Sequence, residues 1–338
     1  MCNTGHCFIV PPHILEALAK RGSSSCKKTL NDTHRILQKR NTILNTLLQT
    51  EEIQGNGDRS IYDSGETYEQ RVQLVRREGD PEIADITANN AYDRAGFVRE
   101  YFKGAFGLDS INGAGMEIIS NIHYGIRYNN AFWDGDEMTY GDGDGQEFTD
   151  FASAIDVVAH ELVHGITQFF SNLEYQGQSG ALNEHFSDVF GTVIKQKYLG
   201  QTLEEADWLI GDTVITENFP GIALRSMKSP GTANEFDTQP DHMDNYYNGP
   251  SDNQGVHINS GIPNRAFYLS CMGLGLDDCA LIWFETLKAL WRTANFMDMV
   301  EVMAKVTQEL VDGERVNPNA AQNIAQSFAA VGLSTVVV

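Results

Sequence analysis

The stretch His160-Glu161-Leu162-Val163-His164 constrains this chain more than any other segment of its 338 residues. Around it Phe151, Ile155, Val158, Leu162, Ile166 and Phe169 recur at three- and four-residue intervals, an apolar stripe that predicts a helix. His160 and His164 are one turn apart on that helix and face the same way. At about 100° per residue the pair falls roughly 170° from the centre of the stripe, away from the face that fills a core. Glu161 lies between the two faces. Imidazole and carboxylate are donors that zinc favours, and a catalytic zinc takes three protein ligands so that water can occupy the fourth position. A carboxylate beside that water is placed to act as general base.

Five residues can also match by chance, so a second segment is needed. Asn183 to Tyr198 reads as helical, with Phe186, Val189, Phe190, Val193 and Ile194 as its apolar positions. On it Glu184 and Asp188 share a face at i and i+4. That pair suits one metal ligand and one carboxylate that orients a ligating histidine.

Three motifs in order, HELVH at 160–164, GALNEHFSD at 180–188 and GVHINSGIPN at 255–264, resemble the thermolysin family of zinc endopeptidases. Tyr128 to Gly135 is similar to that family's substrate-binding edge strand, and Tyr140 to Gly145 to the turn after it. Ala223 to Met227 and Phe328 to Gly332 also match, so the resemblance covers roughly residues 90 to 335. It implies an α+β, two-lobe fold, with a β-rich N-terminal lobe, an α-helical C-terminal lobe and the zinc helix at the cleft.

The resemblance further implies that His160, His164 and Glu184 bind one zinc ion while Glu161 acts as base and proton shuttle. His257 and Tyr175 would stabilise the oxyanion, with Asp252 orienting His257, Asp188 orienting His160 and Asn183 supporting His164. Asn130, Ala131 and Arg225 would hold the substrate backbone. Phe148, Phe151, Val157, Ile210 and Leu224 match the pocket for the residue after the cleaved bond, so cleavage before Leu, Ile, Phe or Val is expected. Calcium is the departure. Asp156 fits the family's calcium pattern, but Lys195 stands where an acid is wanted, and Leu209 and Thr213 occupy other ligand positions. The expectation is that Lys195 replaces the ion by pairing with Asp156, and with Asp207 or Asp212. Two other classes stay open: a zinc hydrolase of another specificity, and a binding protein that keeps the fold.

Charge divides the chain. The formal net charge of −22 argues against nucleic-acid and anionic-membrane partners. Residues 1 to 50 nevertheless hold seven Lys/Arg against two acids, so a net of about +5 faces about −27 in the remainder. With its Pro11-Pro12 pair and Leu30, Leu37, Leu44 and Leu48 at helical spacing, this piece resembles the short prosegments of the protealysin-like subgroup. It is expected to be an inhibitor docked electrostatically on the acidic body, the chain's own partner beside its polypeptide substrates. The expected division is prosegment 1–50, β-rich lobe 51–152 and helical lobe 153–338, with Gln49 to Asp63 an exposed linker cut near Leu47, Leu48 or Ile53.

Cys7 to Val10 is too short for a secretory h-region and no stretch reaches membrane-spanning length. Five cysteines leave at least one unpaired, so cytoplasmic synthesis is expected, with release by another route left open. Cys7, close to Pro11-Pro12, raises the further idea of a thiolate that blocks the zinc. From 60 to 150 the pattern predicts a helix at Ala91–Phe106 and antiparallel strands at Met116–Tyr124 and Asn130–Trp133. Beyond 150 it is mainly helical, ending in Trp283–Ala294, Met297–Leu310 and Asn319–Ala330.

Overall fold

The computed structural model describes residues 7–33 and 54–334. Six strands form one sheet: β1 (Cys7–Phe8), β2 (Arg59–Asp63), β3 (Gln73–Arg77), β4 (Ile118–Ile122), β5 (Ala131–Trp133) and β6 (Met138–Tyr140), in the order β1-β5-β6-β4-β2-β3. Two helices of the N-terminal segment, α1 (Pro12–Lys20) and α2 (residues 24–33), follow β1. Helix α3 (Ile86–Phe106) packs on β2 and β4 and on α4 (Ile155–Phe170), which leads into α5 (Gly177–Leu199). Beyond the two-stranded ribbon β7 (Leu209–Ile210) and β8 (Arg225–Ser226) come α6 (Ser251–Asn259), α7 (Gly261–Leu274), α8 (Leu276–Ala289), α9 (Phe296–Asp312) and α10 (Ala320–Ala329).

Several expectations are corrected here. The sheet is mixed: β2 runs parallel to β4, and β4 to β6, whereas only β1–β5, β5–β6 and β2–β3 are antiparallel pairs. Alternation of apolar residues shows that a strand has a buried face but not which way its neighbour runs. Arg59–Asp63 is a strand in the sheet interior, not exposed linker, and Gly55 and Gly57 donate to the carbonyls of Ala114 and Gly115. The expected cut sites Leu47, Leu48 and Ile53, with Leu37 and Leu44, lie outside the described residues. Helix α8 starts and ends earlier than predicted, and α6 and α7 were not predicted.

Helix α4 is the keel of the molecule. Every residue from Ile155 to Thr167 is buried, because α3 and β5 cover one side and α5 the other. The histidine face therefore opposes the apolar stripe without facing water. It looks onto α5, whose residues from Ser179 to Gln196 are buried too. One continuous apolar core joins both lobes and takes in Ile9, Val10, Ile14, Leu15 and Leu18 of the N-terminal segment. Among the described residues no helix is long and apolar enough to cross a membrane.

The sheet end near α3 is tied by His123, whose ring nitrogens reach Asp142 at 2.8 Å and Asp85 at 2.9 Å. Asp85 is also the N-cap of α3, accepting from the backbone of Thr87 and Ala88. The Asp142 hydrogen bond, against the opposing effect of burial and with help from Asp85, raises the imidazole to about 10. A folded-state value above the unfolded one stabilises fully below the unfolded pKa and less as pH climbs to the folded value. The melting-temperature advantage of wild type over His123→Ala should thus be greatest below pH 6.5 and fade as pH rises towards about 10. A difference that stays flat across that window would refute the bridge.

Candidate active site

Helices α4 and α5 lie side by side, and their facing polar residues make the site. His160 Nδ1 is 2.9 Å from Asp188 Oδ1, and His164 Nδ1 is 2.8 Å from Asn183 Oδ1 and 3.1 Å from Ser187 Oγ. A carboxylate can only accept, so the hydrogen of His160 sits on Nδ1 and its Nε2 lone pair points inward. Asn183 donates its amide hydrogens to the Leu173 carbonyl and accepts from His164, which gives His164 the same tautomer. The two Nε2 atoms are 3.0 Å apart, and Glu184 Oε2 and Oε1 lie 3.4 Å from His160 Nε2 and 3.5 Å from His164 Nε2.

These three ligand groups are buried, and Glu184 Oε2 has no hydrogen-bond partner. Two lone pairs and a carboxylate oxygen so close together require positive charge among them, either a proton or a metal ion. Burial pushes His164 down to about 3, while His160, opposed by burial, is held up at about 9 by Asp188 and Glu184. Tetrahedral zinc sets its nitrogen and oxygen ligands about 3.3 Å apart, close to the separations found here. His160, His164 and Glu184 therefore fit a zinc ion.

Glu161 is fully buried on the same turn. Its Oε2 accepts from the Trp133 backbone at 2.9 Å, whereas Oε1 has no partner. Burial raises its carboxyl to about 8. One oxygen is fixed and the other is left to handle a proton.

The loop before α5 and the start of α6 add the opposing wall. Tyr175 donates to Glu184, and its hydroxyl is 3.1 Å from His257 Nε2. Asp252 grips His257 twice, at 2.6 Å from Nδ1 and 2.8 Å from the backbone nitrogen. His257 Nε2 reaches the Phe8 carbonyl at 3.0 Å. Both ring partners, a carboxylate and a carbonyl, can only accept, so both nitrogens carry hydrogen and the ring is charged. Burial opposes that charge, but Glu184 and Asp252 outweigh it and raise His257 to about 9.

Asp188 gathers more than His160. Arg225 binds it through Nε and Nη2 at 2.8 to 3.2 Å, and Asn264 Nδ2 donates at 2.9 Å. Asn264 in turn accepts from His185, whose other nitrogen accepts from the Trp283 indole at 2.8 Å. With Ser187, these were missed from sequence. Asn264, His185 and Ser187 all stand inside the quoted motifs, which is the signal that was available. Trp283 offered none.

The substrate-holding candidates are already engaged. Ile9 donates to the Ala131 carbonyl at 3.3 Å, Val10 exchanges hydrogen bonds with the Asn130 amide at 2.9 and 3.1 Å, and Arg225 donates to the Ile9 carbonyl at 2.9 Å. Phe148, Phe151, Val157, Ile210 and Leu224 belong to the same buried cluster as Ile9 and Val10. Among the described residues of this segment, burial outweighs the one ion pair that it makes with the body. Arg21 and Glu235 form an exposed ion pair at 2.7 Å, a contact worth about 0–1 kcal/mol. Burying each of Ile9, Ile14, Leu15 and Leu18 is worth about 1.5–3 kcal/mol.

Away from the zinc ligands, Lys195 Nζ reaches Asp212 at 2.5 Å, Asp207 at 3.1 Å and the Leu209 carbonyl at 3.2 Å, with Asp156 at 3.9 Å. Asp156 makes its own hydrogen bonds to the backbone of Val157 and Gly211.

Comparison with known proteins identifies the family to which both lobes belong. The thermolysin metallopeptidase catalytic domain matches residues 18–168, and the thermolysin metallopeptidase alpha-helical domain matches residues 171–333. An extracellular metalloprotease of Pectobacterium carotovorum subsp. carotovorum is 40% identical over 97% of this chain and 96% of its own. Thermolysin from Alicyclobacillus acidocaldarius subsp. acidocaldarius is 40% identical over 74% of this chain and 46% of its own. The structure of the precursor of protealysin, a metalloproteinase from Serratia proteamaculans, superposes with a TM-score of 0.85 at 37% identity, covering 97% of this chain and 100% of that one. By its two domains, these relatives and its fold, the chain belongs to the thermolysin family of zinc-dependent metallopeptidases, hydrolases of peptide bonds, in its protealysin-like subgroup.

Proposed function

We propose that the chain is the precursor of an endopeptidase that cuts internal peptide bonds before apolar residues, and that residues 1–50 are an inhibitory prosegment removed by self-cleavage. The lobes 51–152 and 153–338 would form the mature enzyme. The seating of Phe8, Ile9 and Val10 against Asn130, Ala131, Arg225 and His257 carries this reading. Those groups would hold a substrate backbone, and the segment takes them as an added strand does. Synthesis in the cytoplasm followed by release is part of the proposal, supported by the name of the extracellular Pectobacterium relative.

Zinc, when held by His160, His164 and Glu184, supplies Lewis-acid polarisation of the scissile carbonyl and water acidified to a pKa of about 7. The rest is the work of side chains. Asn130, Ala131 and Arg225 align the peptide. Glu161 Oε1 takes the proton of the attacking water and passes it to the leaving amine, while Oε2 stays on Trp133. His257, kept charged by Asp252, and Tyr175 donate to the oxyanion as it forms. The pocket of Phe148, Phe151, Val157, Ile210 and Leu224 receives an apolar side chain.

Mass spectrometry of wild type and Glu161→Gln, with and without a chelator, tests the whole reading. Wild type should shed its N-terminal segment and hydrolyse casein, and both activities should stop on chelation. Glu161→Gln should stay full-length and lose about 10²–10⁴-fold in rate. Wild-type activity that survives chelation would overturn the proposal. His257→Ala should lower kcat about 10²–10³-fold with little change in KM. A peptide-library digest should show cuts before Leu, Ile, Phe or Val, and cuts mainly before charged residues would refute the pocket assignment.

Calcium is assigned no structural role here, since Lys195 supplies the cation among Asp156, Asp207 and Asp212. Removing one partner of a buried ionic cluster costs about 3–5 kcal/mol. Lys195→Met should therefore melt well below wild type, and calcium should leave the wild-type melting temperature unchanged. A large calcium-dependent rise would contradict the replacement.

A further inference from the structure

Cys7 is paired across the sheet with Trp133, whose backbone holds Glu161, and it packs against Tyr175 and Val256. Its thiol is buried beside the zinc ligands, with Cys7 Sγ and one ligand atom each of His164 and Glu184 all within 4.8 Å of one another. Glu184, one of that group, is fully buried and leaves its Oε2 without a hydrogen-bond partner. We propose that Cys7 Sγ is the fourth zinc ligand in the uncleaved chain, occupying the position that the attacking water needs. The inference rests on the metallopeptidase reading and specifies how latency is imposed at its metal.

Three protein ligands leave zinc one open position, and thiolate is among its strongest ligands. The sulfur is delivered by backbone geometry. Pairing of Phe8 with Phe132 and of Cys7 with Trp133 fixes the segment's register, and Val10 locked on Asn130 prevents a slip. A one-residue shift would turn Cys7 away from the metal. On coordination the S–H bond breaks, a sulfur lone pair forms the bond to zinc, and the proton leaves with the displaced water as hydronium. No electrons change hands. Cutting the chain downstream loosens the segment, and water then returns to the metal.

Glu161→Gln protein, which stays uncut, is loaded with cobalt(II) in place of zinc. A thiolate-to-cobalt charge-transfer band in the near ultraviolet is expected, with one cobalt per chain. Glu161→Gln/Cys7→Ser should keep the cobalt and lose the band, while Glu161→Gln/Cys26→Ser should keep both. A second measurement needs no change at Cys7. In the Glu161→Gln protein, alkylation of Cys7 followed by peptide mass spectrometry should accelerate at least tenfold when the metal is removed, with Cys26 unaffected. Bound cobalt without the band, a band that survives Cys7→Ser, or a Cys7 alkylation rate indifferent to metal would each overturn this inference while leaving the metallopeptidase reading standing. Failure to bind one metal ion per chain would remove both.

Discussion

Placing two imidazole nitrogens 3.0 Å apart, each within 3.5 Å of an oxygen of one carboxylate and all of them buried, is the condition the rest of the molecule serves. Left unsupported, such a cluster would be driven apart or protonated. It is held because every atom facing away from the centre is committed elsewhere. His160 is fixed by Asp188, Asp188 by Arg225 and Asn264, Asn264 by His185, and His185 by the Trp283 indole. Burial pushes His185 down to about 4, so it stays neutral and passes polarity along the chain without adding charge. The zinc-fitting groups on α4 and α5 are thus braced from α8.

The parts of this arrangement that sequence reveals are the ones set by a single element. Helical spacing alone puts His160 beside His164 and Glu184 beside Asp188, and the motif resemblance adds His257 and Tyr175. What sequence hides is set by pairing between distant segments. Gly55 and Gly57 mark a turn-like linker in the sequence, yet their amides pair with Ala114 and Gly115 and bring the chain straight into a parallel strand. Likewise Trp283 carries no local mark of its bond to His185, and Leu276–Ala289 was placed late because its apolar face continues into Leu290 and Trp291 without a strong stop signal.

The N-terminal segment extends the sheet and the core at once. Strand β5 is only three residues long and lies at the edge of the catalytic lobe's sheet, where unpaired amides and carbonyls invite another chain. Cys7 and Phe8 complete that edge, and the apolar side chains that follow sink into the main core. The same edge cannot accept a peptide while it is filled. Beyond the strand, Ile14, Leu15 and Leu18 of α1 are buried as well.

Backbone strain marks the other end of the site. Asp252, Asn253, Gln254 and Gly255 all have left-handed φ values, from 48° to 82°, within the first turn of α6. For each residue other than glycine that conformation costs roughly 1–2 kcal/mol. A regular right-handed start would carry the Asp252 carboxylate round the helix, whereas the left-handed turn folds it back onto its own downstream residue, so that one carboxylate binds the backbone and the ring of His257 together. Strain of this kind persists where its surroundings over-determine it. Gly255 meets that condition with the least cost, since a Cβ there would stand 2.7 Å from both Asn259 and Tyr247. Tyr247 and Asn259, bonded to each other, close around Gly255, and the two bonds from Asp252 to His257 fix the charged imidazole in place.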